Sequence, residues 1–546
     1  MLRGLMMDRP LLVSGAIEYA AELYPDVQLV STMVEGGTHS YGYGAARQRI
    51  VRLASALKTM GIKPGDRVAT LAWNGYRHFE LYYAISGLGA VCHTINPRLF
   101  PEQLSYIVDH AADRALFFDL TFLPLIEKMR PAFRSIETYA VLTDRVHFPK
   151  ETALAGLVCY EELLASGSEQ LDWPEFDENT ACALCYTSGT TGEPKGVLYS
   201  HRSNILHALF TLTATPQSFG PGKPLLPVVP LFHVNAWGLP YVAPLTGTPL
   251  VFPGAKLDGA SIFDLIASQG VHSAWGVPTV WLGLLAEMQK RGSKPGILAE
   301  ILTGGSAAPA ALIAAFEQEW GINVVHGWGM TEMSPVGTVC RLPPAMASLP
   351  TEARLAVKAR QGRRLFGVDM KIVGEDGRRL PHDGTAQGEL FVRGPTIVSS
   401  YFHNEAASAK ALDAEGWFAT GDVAKITPDG FLVIVDRTKD LVKSGGEWIS
   451  SLDVENTAAA YPGIAQCAVI GVPHPKWSER PLLVAVMKPG SAPDKADILA
   501  FLSVRLARWQ VPDDVVFVES LPMTATGKVS KKDLRAKFAG YAAKDP

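Results

Sequence analysis

The chain has 546 residues, more than one hydrophobic core usually organises, so two or more domains are expected. Hydrophobic residues make up 47% of the chain and charged residues 19%, as in ordinary globular proteins. The net charge of −4 at pH 7 leaves no basic excess for binding nucleic acid or an anionic membrane surface.

The cysteines are few and scattered, which predicts reduced thiols and a cytoplasmic location rather than a disulfide framework. They are Cys92, Cys159, Cys182, Cys185, Cys340 and Cys467. Near the start, Asp8, Arg9 and Pro10 interrupt the apolar run before it becomes long. We therefore expect no signal peptide and no integral membrane association.

The first third of the chain alternates between helical and strand patterns. Ile50, Leu53, Leu57 and Met60 recur at helical spacing, which predicts a helix over 49–60 that ends at Gly61. Short apolar runs predict strands over 67–72, 89–95, 114–119 and 138–143. This alternation predicts parallel sheets covered by helices on both faces.

A further buried strand is predicted over 182–186, and it contains two cysteines three residues apart. Residues at that spacing on a strand point to opposite faces, and the chain has no second such pair to complete a zinc site. We interpret Cys182 and Cys185 as core residues.

The strand at 182–186 runs directly into a glycine-rich loop, 187–196, with three glycines, four hydroxyl side chains and one lysine. Such a loop offers N–H and O–H donors and a cation to a polyphosphate. The alternative, a solvated linker, fits poorly because apolar segments flank the loop on both sides. The spacing does not match the P-loop of ordinary NTPases, which disfavours kinases.

The clearest domain boundary lies late in the chain. A strand over 431–436 is followed by the polar segment 437–440 and by the adjacent glycines Gly445 and Gly446. Strands over 468–472 and 482–487 and a helix through 498–506 come next. We predict an α/β protein with a large N-terminal domain, 1–437, of parallel and mixed sheets covered by helices. A small, mobile α+β C-terminal domain, 438–546, would follow a short hinge.

Several motifs occur in the order found in the adenylate-forming superfamily of acyl-CoA synthetases, luciferases and peptide-synthetase adenylation domains. The glycine-rich loop resembles the signature loop of that superfamily, and segments 304–307 and 326–332 resemble its adenine-site elements. Segment 416–422 resembles the ribose-binding motif, 436–447 the hinge, and 522–528 the terminal lysine motif. The resemblance covers nearly the whole chain.

This resemblance implies that ATP, Mg²⁺ and coenzyme A are used with a small carboxylic acid. Thr187 and Glu332 would hold the metal, and Lys528, His233 and Glu332 would be catalytic. The nucleotide would contact the residues of the matching motifs: Thr187, Ser188, Gly189, Thr190, Thr191, Gly192, Lys195, Gly305, Ser306, Ala307, His326, Gly327, Trp328, Thr331, Asp422 and Arg437. Trp328 stands where the superfamily more often has tyrosine.

Further roles implied by the resemblance concern the acid and coenzyme A. The acid would contact His233, Trp237, Gly305 and Gly329, while Lys439, Lys443 and Trp448 would serve the hinge and the coenzyme A step. His233 alone would more often be structural, and Trp237 could equally be a core tryptophan.

Segments 232–238 and 443–451 are similar to bacterial medium- and long-chain fatty-acid–CoA ligases and to 3-methylmercaptopropionate–CoA ligases. Since no membrane-binding amphipathic stretch is evident, a short acid is favoured over a long one. A long-chain ligase, a luciferase-type oxidation and a catalytically silent nucleotide-binding regulator are the alternatives. Lys528, Glu332 and Asp422 are all present, which argues against the silent regulator. A homodimer is left open.

Overall fold

A computed structural model describes residues 1–187, 193–444, 447–491, 494–524 and 528–541. The strands are β1 Gln28–Thr32, β2 Thr38–Gly42, β3 Arg67–Leu71, β4 Val91–Thr94, β5 Ala115–Phe118, β6 Thr138–Val141, β7 Val158–Cys159, β8 Ala181–Tyr186, β9 Gly196–Ser200, β10 Leu225–Pro227, β11 Leu250–Phe252, β12 Ser273–Gly276, β13 Glu300–Thr303, β14 Asn323–Gly329, β15 Val336–Cys340, β16 Gly362–Arg364, β17 Asp369–Val373, β18 Gly388–Arg393, β19 Phe418–Ile426, β20 Phe431–Arg437, β21 Val442–Ser444, β22 Glu447–Ile449, β23 Ile464–His474, β24 Ser478–Met487 and β25 Asp514–Phe517.

The helices are α1 Ser14–Leu23, α2 Tyr43–Thr59, α3 Tyr76–Gly87, α4 Pro101–Ala111, α5 Leu123–Met129, α6 Tyr160–Ala165, α7 His201–Ala214, α8 Val234–Trp237, α9 Leu239–Thr246, α10 Gly259–Gln269, α11 Pro278–Arg291, α12 Ala310–Ala314, α13 Thr351–Lys358, α14 Glu405–Ala411, α15 Ser451–Ala459, α16 Lys495–Ser503 and α17 Lys531–Lys537. Along the described part of the chain, none of them has both the length and the apolar character needed to cross a membrane.

Two large sheets account for the strands up to Arg437. The first has the order β7-β6-β5-β3-β4-β8-β9, and only the β8–β9 pair is antiparallel. Because β4 and β5 lie on opposite sides of β3, the winding direction changes at β3, and a crevice opens beyond the carboxyl end of that strand. Loop residues such as Asn74 lie at this position.

The second large sheet has the order β17-β18-β19-β20-β16-β15-β14-β13-β12-β10-β11-β1-β2. Its run from β14 through β12 and β10 to β1 is parallel, and the remaining pairs are antiparallel. A separate small sheet, β22-β21-β24-β23 with β25 beside β24, follows in sequence. The predicted mixture of parallel and mixed sheets with a small α+β unit is therefore confirmed.

Helix α3 lies between the two large sheets, and every residue of it is buried. It contacts β4 and β8 on one side and β1 on the other. Charged side chains lock it to its neighbours: Arg49 Nε lies 2.6 Å from Glu80 Oε1, and Arg77 Nε lies 2.9 Å from Glu161 Oε1. Buried charges that pair in this way are costly to separate, so α3 is a rigid support for the loop before it.

The sequence predictions placed most elements correctly but missed some ends. Helix α2 begins at Tyr43, six residues before the predicted start at Arg49, because Gly42 is already extended and begins the turn. It gives way at Gly61, as predicted, where φ is 89°. Helix α16 spans Lys495–Ser503 instead of 498–506. It begins early because the Asp494 side chain caps its N-terminus by accepting a hydrogen bond from Ala496 N. Cys182 and Cys185 are both buried.

Candidate active site

Several predicted site residues, and Val277, which the sequence did not single out, lie at the carboxyl ends of four neighbouring parallel strands. His233 follows β10, Val277 follows β12, Gly305 follows β13, and Trp328 lies at the end of β14. Open α/β sheets place ligands at this edge because several loops converge there. The convergence explains how motifs far apart in sequence reach one cleft.

Asp422 lies at the centre of one part of this cleft. Its Oδ1 is 2.6 Å from Arg437 Nε, and its Oδ2 accepts a 2.9 Å hydrogen bond from Trp328 Nε1. Burial raises the pKa of Asp422, and the Arg437 cation opposes that rise. Each carboxylate oxygen keeps a second lone pair, so Asp422 can still accept from two neighbouring hydroxyls.

Lys528 extends from the small α+β unit to the same cleft. A methyl group placed on Gly305 would lie 3.8 Å from Lys528 Cε. The residue keeps exposed surface, yet protein atoms surround it in the cleft, and this desolvation together with Arg437 lowers its pKa to about 8. Asp422 acts in the opposite direction and favours the ammonium form. The structure therefore brings the predicted catalytic lysine to the predicted ribose-binding pair.

The Trp237 indole packs against the loop at Gly304 and Gly305, beside Lys528. A methyl group on Gly304 would lie 3.3 Å from Trp237 Cη2, and one on Gly305 would lie 3.8 Å from Trp237 Cζ2 and 3.5 Å from Val277 Cγ1. Gly305 also has φ of 80°, where side-chain-bearing residues are disfavoured. The space over Gly305 is thus bounded by an indole, a valine and a lysine.

His233 lies close to the same space and opens onto a small cleft with Phe232, Thr94 and Tyr186. Desolvation, with a smaller effect of Lys528, lowers the pKa of His233 to about 4. The imidazole is consequently neutral at physiological pH, and it can accept a proton or a hydrogen bond.

The glycine-rich loop is closed at its base by Thr187 and Lys195. Thr187 N donates to Lys195 O at 2.9 Å, and Lys195 N donates to Thr187 Oγ1 at 3.2 Å. Predicted phosphate contacts at Ser188, Gly189, Thr190, Thr191 and Gly192 lie outside the described residues.

Glu332 faces this loop from the turn Thr331–Met333. Its Oε1 accepts a 2.7 Å hydrogen bond from Tyr401 Oη, and the Lys195 ammonium lies 4.8 Å from the centre of the Tyr401 ring. Burial raises the pKa of Glu332, while the Tyr401 hydrogen bond lowers it. A carboxylate and a threonine hydroxyl are oxygen donors of the kind that Mg²⁺ uses when phosphates complete its coordination, so Glu332 and Thr187 suit the ion chemically.

The sequence reasoning did not identify Tyr401 or Tyr199, which orient this turn. Tyr199 Oη donates to Thr331 O at 2.6 Å, and both tyrosines are buried. A buried tyrosine hydroxyl needs a partner, but a single sequence does not reveal which partner it finds.

The other predicted residues lie in β14 or on the loop after β13. His326 is 1% exposed, and its Nδ1 lies 3.1 Å from Ala359 O. A methyl group on Gly329 would lie 2.1 Å from Pro335 O, so backbone packing alone explains that glycine. Ser306 is exposed and Ala307 half-buried on the loop after β13, while Gly327 lies within β14.

Two predicted residues near the predicted hinge contact each other. Lys443 is exposed, and its ammonium lies 4.5 Å from the centre of the Trp448 ring across the β21–β22 hairpin. Lys439 is in the short connection between β20 and β21. Burial lowers the pKa of Lys439.

Comparison with known proteins identifies the family of the chain. The AMP-binding enzyme family matches residues 17–402, and the C-terminal domain of AMP-binding enzymes matches residues 453–528. A 3-methylmercaptopropionyl-CoA ligase of Ruegeria lacuscaerulensis is 50% identical over 98% of both chains. A medium-chain-fatty-acid–CoA ligase of Ectopseudomonas oleovorans is 45% identical over 98% of this chain and 97% of that protein.

Solved structures show the same likeness. The anthranilate CoA ligase AuaEII in complex with anthranoyl-AMP has a TM-score of 0.85 and 25% identity, covering 97% of this chain and 98% of that one. ATP-bound MatB from Rhodopseudomonas palustris has a TM-score of 0.80 at 25% identity, covering 96% and 99%. The resemblance inferred from the motifs is confirmed. The chain belongs to the AMP-binding enzyme family and is an adenylate-forming acyl-CoA synthetase.

Proposed function

We propose that the acid activated by this enzyme is 3-methylmercaptopropionate or a short- to medium-chain fatty acid. ATP, Mg²⁺ and coenzyme A serve the reaction, as in AMP-binding CoA ligases. The acid carboxylate attacks the α-phosphate of ATP and forms an acyl-adenylate with release of pyrophosphate. The thiol of coenzyme A then attacks the acyl carbonyl carbon, giving the thioester and AMP.

The position of Trp237 carries the proposal of a small acid. Its indole lies across Gly304 and Gly305, next to Lys528 and Val277, so it limits the length of the space in which an acyl group would lie. The names of the relatives at 50% and 45% identity add 3-methylmercaptopropionate and medium-chain fatty acids as the acids to test first. A long-chain acid is the alternative, and it would require the indole to move aside.

The residues of the cleft suit adenylation, in which two anions must approach each other. In the proposed arrangement Asp422 accepts from the ribose hydroxyls, while Lys528 neutralises charge between carboxylate and α-phosphate. Trp328 orients Asp422 through its indole N–H and presents a flat face to adenine. His233 stays neutral and can donate its ring N–H to an oxygen of the acid. Thr331 would bond the α-phosphate.

Mg²⁺ fits the oxygen donors at the loop base, since Glu332 and Thr187 supply a carboxylate and a hydroxyl there. When bound, the ion would neutralise phosphate charge. Tyr401 holds the Glu332 carboxylate in place by its 2.7 Å hydrogen bond, and the Lys195 ammonium lies over the Tyr401 ring, 4.8 Å from its centre, as a further cation for phosphate. These residues position charge and do not need to exchange protons during the reaction.

The second half-reaction would use a different orientation of the small domain, 438–546. In support, β20 ends at Arg437, and the next strand, β21, belongs to another sheet. Lys528 stands where the acyl group must meet the thiol, so it would have to leave. Rotation about Lys439 would bring the Lys443–Trp448 hairpin towards the cleft.

A homodimer and a cytoplasmic location complete the proposal. Leu2, Leu5, Met6 and Met7 are at least 87% exposed, and a second copy would cover such apolar side chains. Light scattering of the full chain and of a variant with these four residues changed to serine tests the dimer. Free thiols at all six cysteines suit a reducing compartment.

A panel of acids tests the proposed substrate. Thioester formation is measured with 3-methylmercaptopropionate and with fatty acids from C4 to C14, for the wild type and for Trp237→Ala. We expect the variant to favour longer acids by up to about fourfold in kcat/KM per added CH₂, the value of burying one methylene. Trp320→Ala, at a half-buried tryptophan far from the cleft, is the matched control.

An unchanged chain-length profile in Trp237→Ala would show that the indole is a core residue and does not bound the acid. A wild-type optimum at C12 or longer would replace the proposed substrate with the long-chain alternative. Absence of pyrophosphate release with every acid would favour the silent regulator.

A further inference from the structure

The segment that carries His233 and Trp237 has an unusual backbone. Residues Val234–Trp237 form one turn of left-handed helix, with φ of 48°, 52°, 46° and 57°. In this conformation the Cβ atom crowds the following carbonyl oxygen, and a β-branched residue such as Val234 is particularly disfavoured. Four such residues in a row persist only if the surrounding structure holds them.

The far end of this turn is fixed by close packing. Gly238 continues the left-handed conformation with φ of 81°, and a methyl group on it would lie 2.7 Å from His207 Nδ1. His207 is itself fixed, because its Nε2 accepts a 3.0 Å hydrogen bond from Val336 N. Two residues on, Pro240 O accepts a 2.6 Å bond from Tyr83 Oη of α3.

The near end is held mainly by the side chain of Asn74, which makes three hydrogen bonds to it. Its Nδ2 donates to Pro227 O at 2.7 Å and to Val229 O at 2.8 Å, and its Oδ1 accepts from Leu231 N at 2.7 Å. Asn74 is 4% exposed, and both amide hydrogens and the amide oxygen bond to alternate residues of the segment 227–231. It therefore acts as a strand neighbour would for residues 227–231. Leu231 is two residues before His233.

Asn74 is in turn anchored to both large sheets. Gly254 N donates to Asn74 O at 3.0 Å, and the preceding residue, Trp73, donates its N–H to Asp119 Oδ2 at 2.6 Å. The Trp73 ring also meets Phe232 edge to face, with centroids 6.0 Å apart. From the next turns of α3, Tyr82 Oη donates to Leu231 O.

We propose that Asn74 is a positioning residue for acid binding: it holds residues 227–231 so that His233 and Trp237 stay at the acid site on a strained left-handed turn. The inference rests on the proposed placement of the acid beside these two side chains. Without the three bonds, Pro227 O, Val229 O and Leu231 N lose their side-chain partner, while Val228 N and Val229 N still donate to Trp275 O. The part of the segment nearest His233 is then less restrained, and the turn can relax towards right-handed conformations. The imidazole and the indole then move relative to Gly305, whereas the Asp422 part of the cleft stays in place.

The test compares steady-state constants of Asn74→Ala and Asn74→Asp with those of the wild type, using the best acid of the panel. We expect KM for the acid to rise, and kcat to fall, by about tenfold to a hundredfold, as expected when a reacting group is displaced by about 1 Å. KM for ATP should stay within about twofold, since the groups proposed to bind ATP are not attached to this segment. Asn74→Asp keeps the volume but directs a carboxylate oxygen at two carbonyls, so it should shift the acid constants in the same direction.

Asn204→Ala is the matched control, because Asn204 is 1% exposed and its Nδ2 donates to Cys182 Sγ at 3.1 Å, away from the acid site. It should lower thermal stability without changing the ratio of the two KM values. Tyr82→Phe removes only the hydroxyl bonded to Leu231 O and should repeat the effect of Asn74→Ala weakly, which keeps the test available if the alanine variant does not fold.

The inference is overturned if Asn74→Asp binds the acid like the wild type. It is also overturned if the Asn74 variants raise both KM values by the same factor as Asn204→Ala. Failure of the proposed function gives a different result, since the wild type itself would then convert none of the acids.

Discussion

The lowered pKa of Lys528 makes a quantitative prediction about alkaline pH. Desolvation in the cleft and the neighbouring Arg437 bring this pKa to about 8, whereas an ordinary lysine titrates near 10.4. The ammonium form is the one that can neutralise the carboxylate and the α-phosphate. At pH 9, about a tenth of the Lys528 side chains would remain charged, so adenylation should fall about tenfold from its value at pH 7.

The assay is acid-dependent exchange of labelled pyrophosphate into ATP between pH 6 and 10, which reports the first half-reaction alone. The pKa of His233 is near 4, so His233 does not contribute to the fall in exchange rate at alkaline pH. In Lys528→Arg the cation stays charged throughout, so the alkaline limb should disappear even if the plateau is lower. The assignment of this titration to Lys528 would be refuted if the wild-type exchange rate fell only above pH 10. It would also be refuted if Lys528→Arg showed the same alkaline fall as the wild type.

Further changes separate the roles of the other residues. Glu332→Gln should lower adenylation by about 10²–10³ with little change in thermal unfolding, and near-normal exchange at saturating Mg²⁺ would contradict its role. Tyr401→Phe removes the bond that lowers the Glu332 pKa, so the acid limb of the exchange profile should move to higher pH; an unmoved limb would count against this link. Lys439→Pro should slow thioester formation from a synthetic adenylate while sparing exchange, because fixing φ near −65° restricts rotation. Lys528→Ala should do the reverse, because it removes the cation proposed for adenylation. Equal damage to both steps in both variants would assign these residues to general folding.

Local patterns in the sequence predicted the class of fold, and the resemblance of the motifs to the adenylate-forming superfamily supplied the expected roles of the cleft residues. Short apolar runs predicted β3, β5 and β6, and the glycine-rich loop indicated a polyphosphate ligand from donor chemistry alone. The motifs then placed Asp422, Arg437 and Lys528 on one ligand, and the structure brings these three together. The strands and the loop are predictable because each depends on residues close in sequence, whereas the grouping of the three distant residues depended on the family resemblance.

The remaining features depend on contacts between distant segments. Asn74 follows a predicted strand, and nothing in its neighbourhood indicated that it would supply hydrogen bonds to residues 227–231. The left-handed turn at Val234–Trp237 contains no glycine and was therefore not predictable from local preferences. Tyr401 reaches Glu332 across 69 residues. The contact of Gly329 with the acid stays a prediction, and the close packing of its backbone against Pro335 is visible only in three dimensions.

The central claim, that an acyl-adenylate links the acid to coenzyme A, is tested most directly by isotope transfer. The enzyme is supplied with ATP, coenzyme A and 3-methylmercaptopropionate labelled with ¹⁸O in both carboxylate oxygens, and the products are analysed by mass spectrometry. Because a carboxylate oxygen attacks the α-phosphate and stays on it when the thiol displaces AMP, the AMP formed should carry one ¹⁸O atom, matching the thioester mole for mole. Unlabelled AMP, or label in inorganic phosphate together with ADP, would contradict the account.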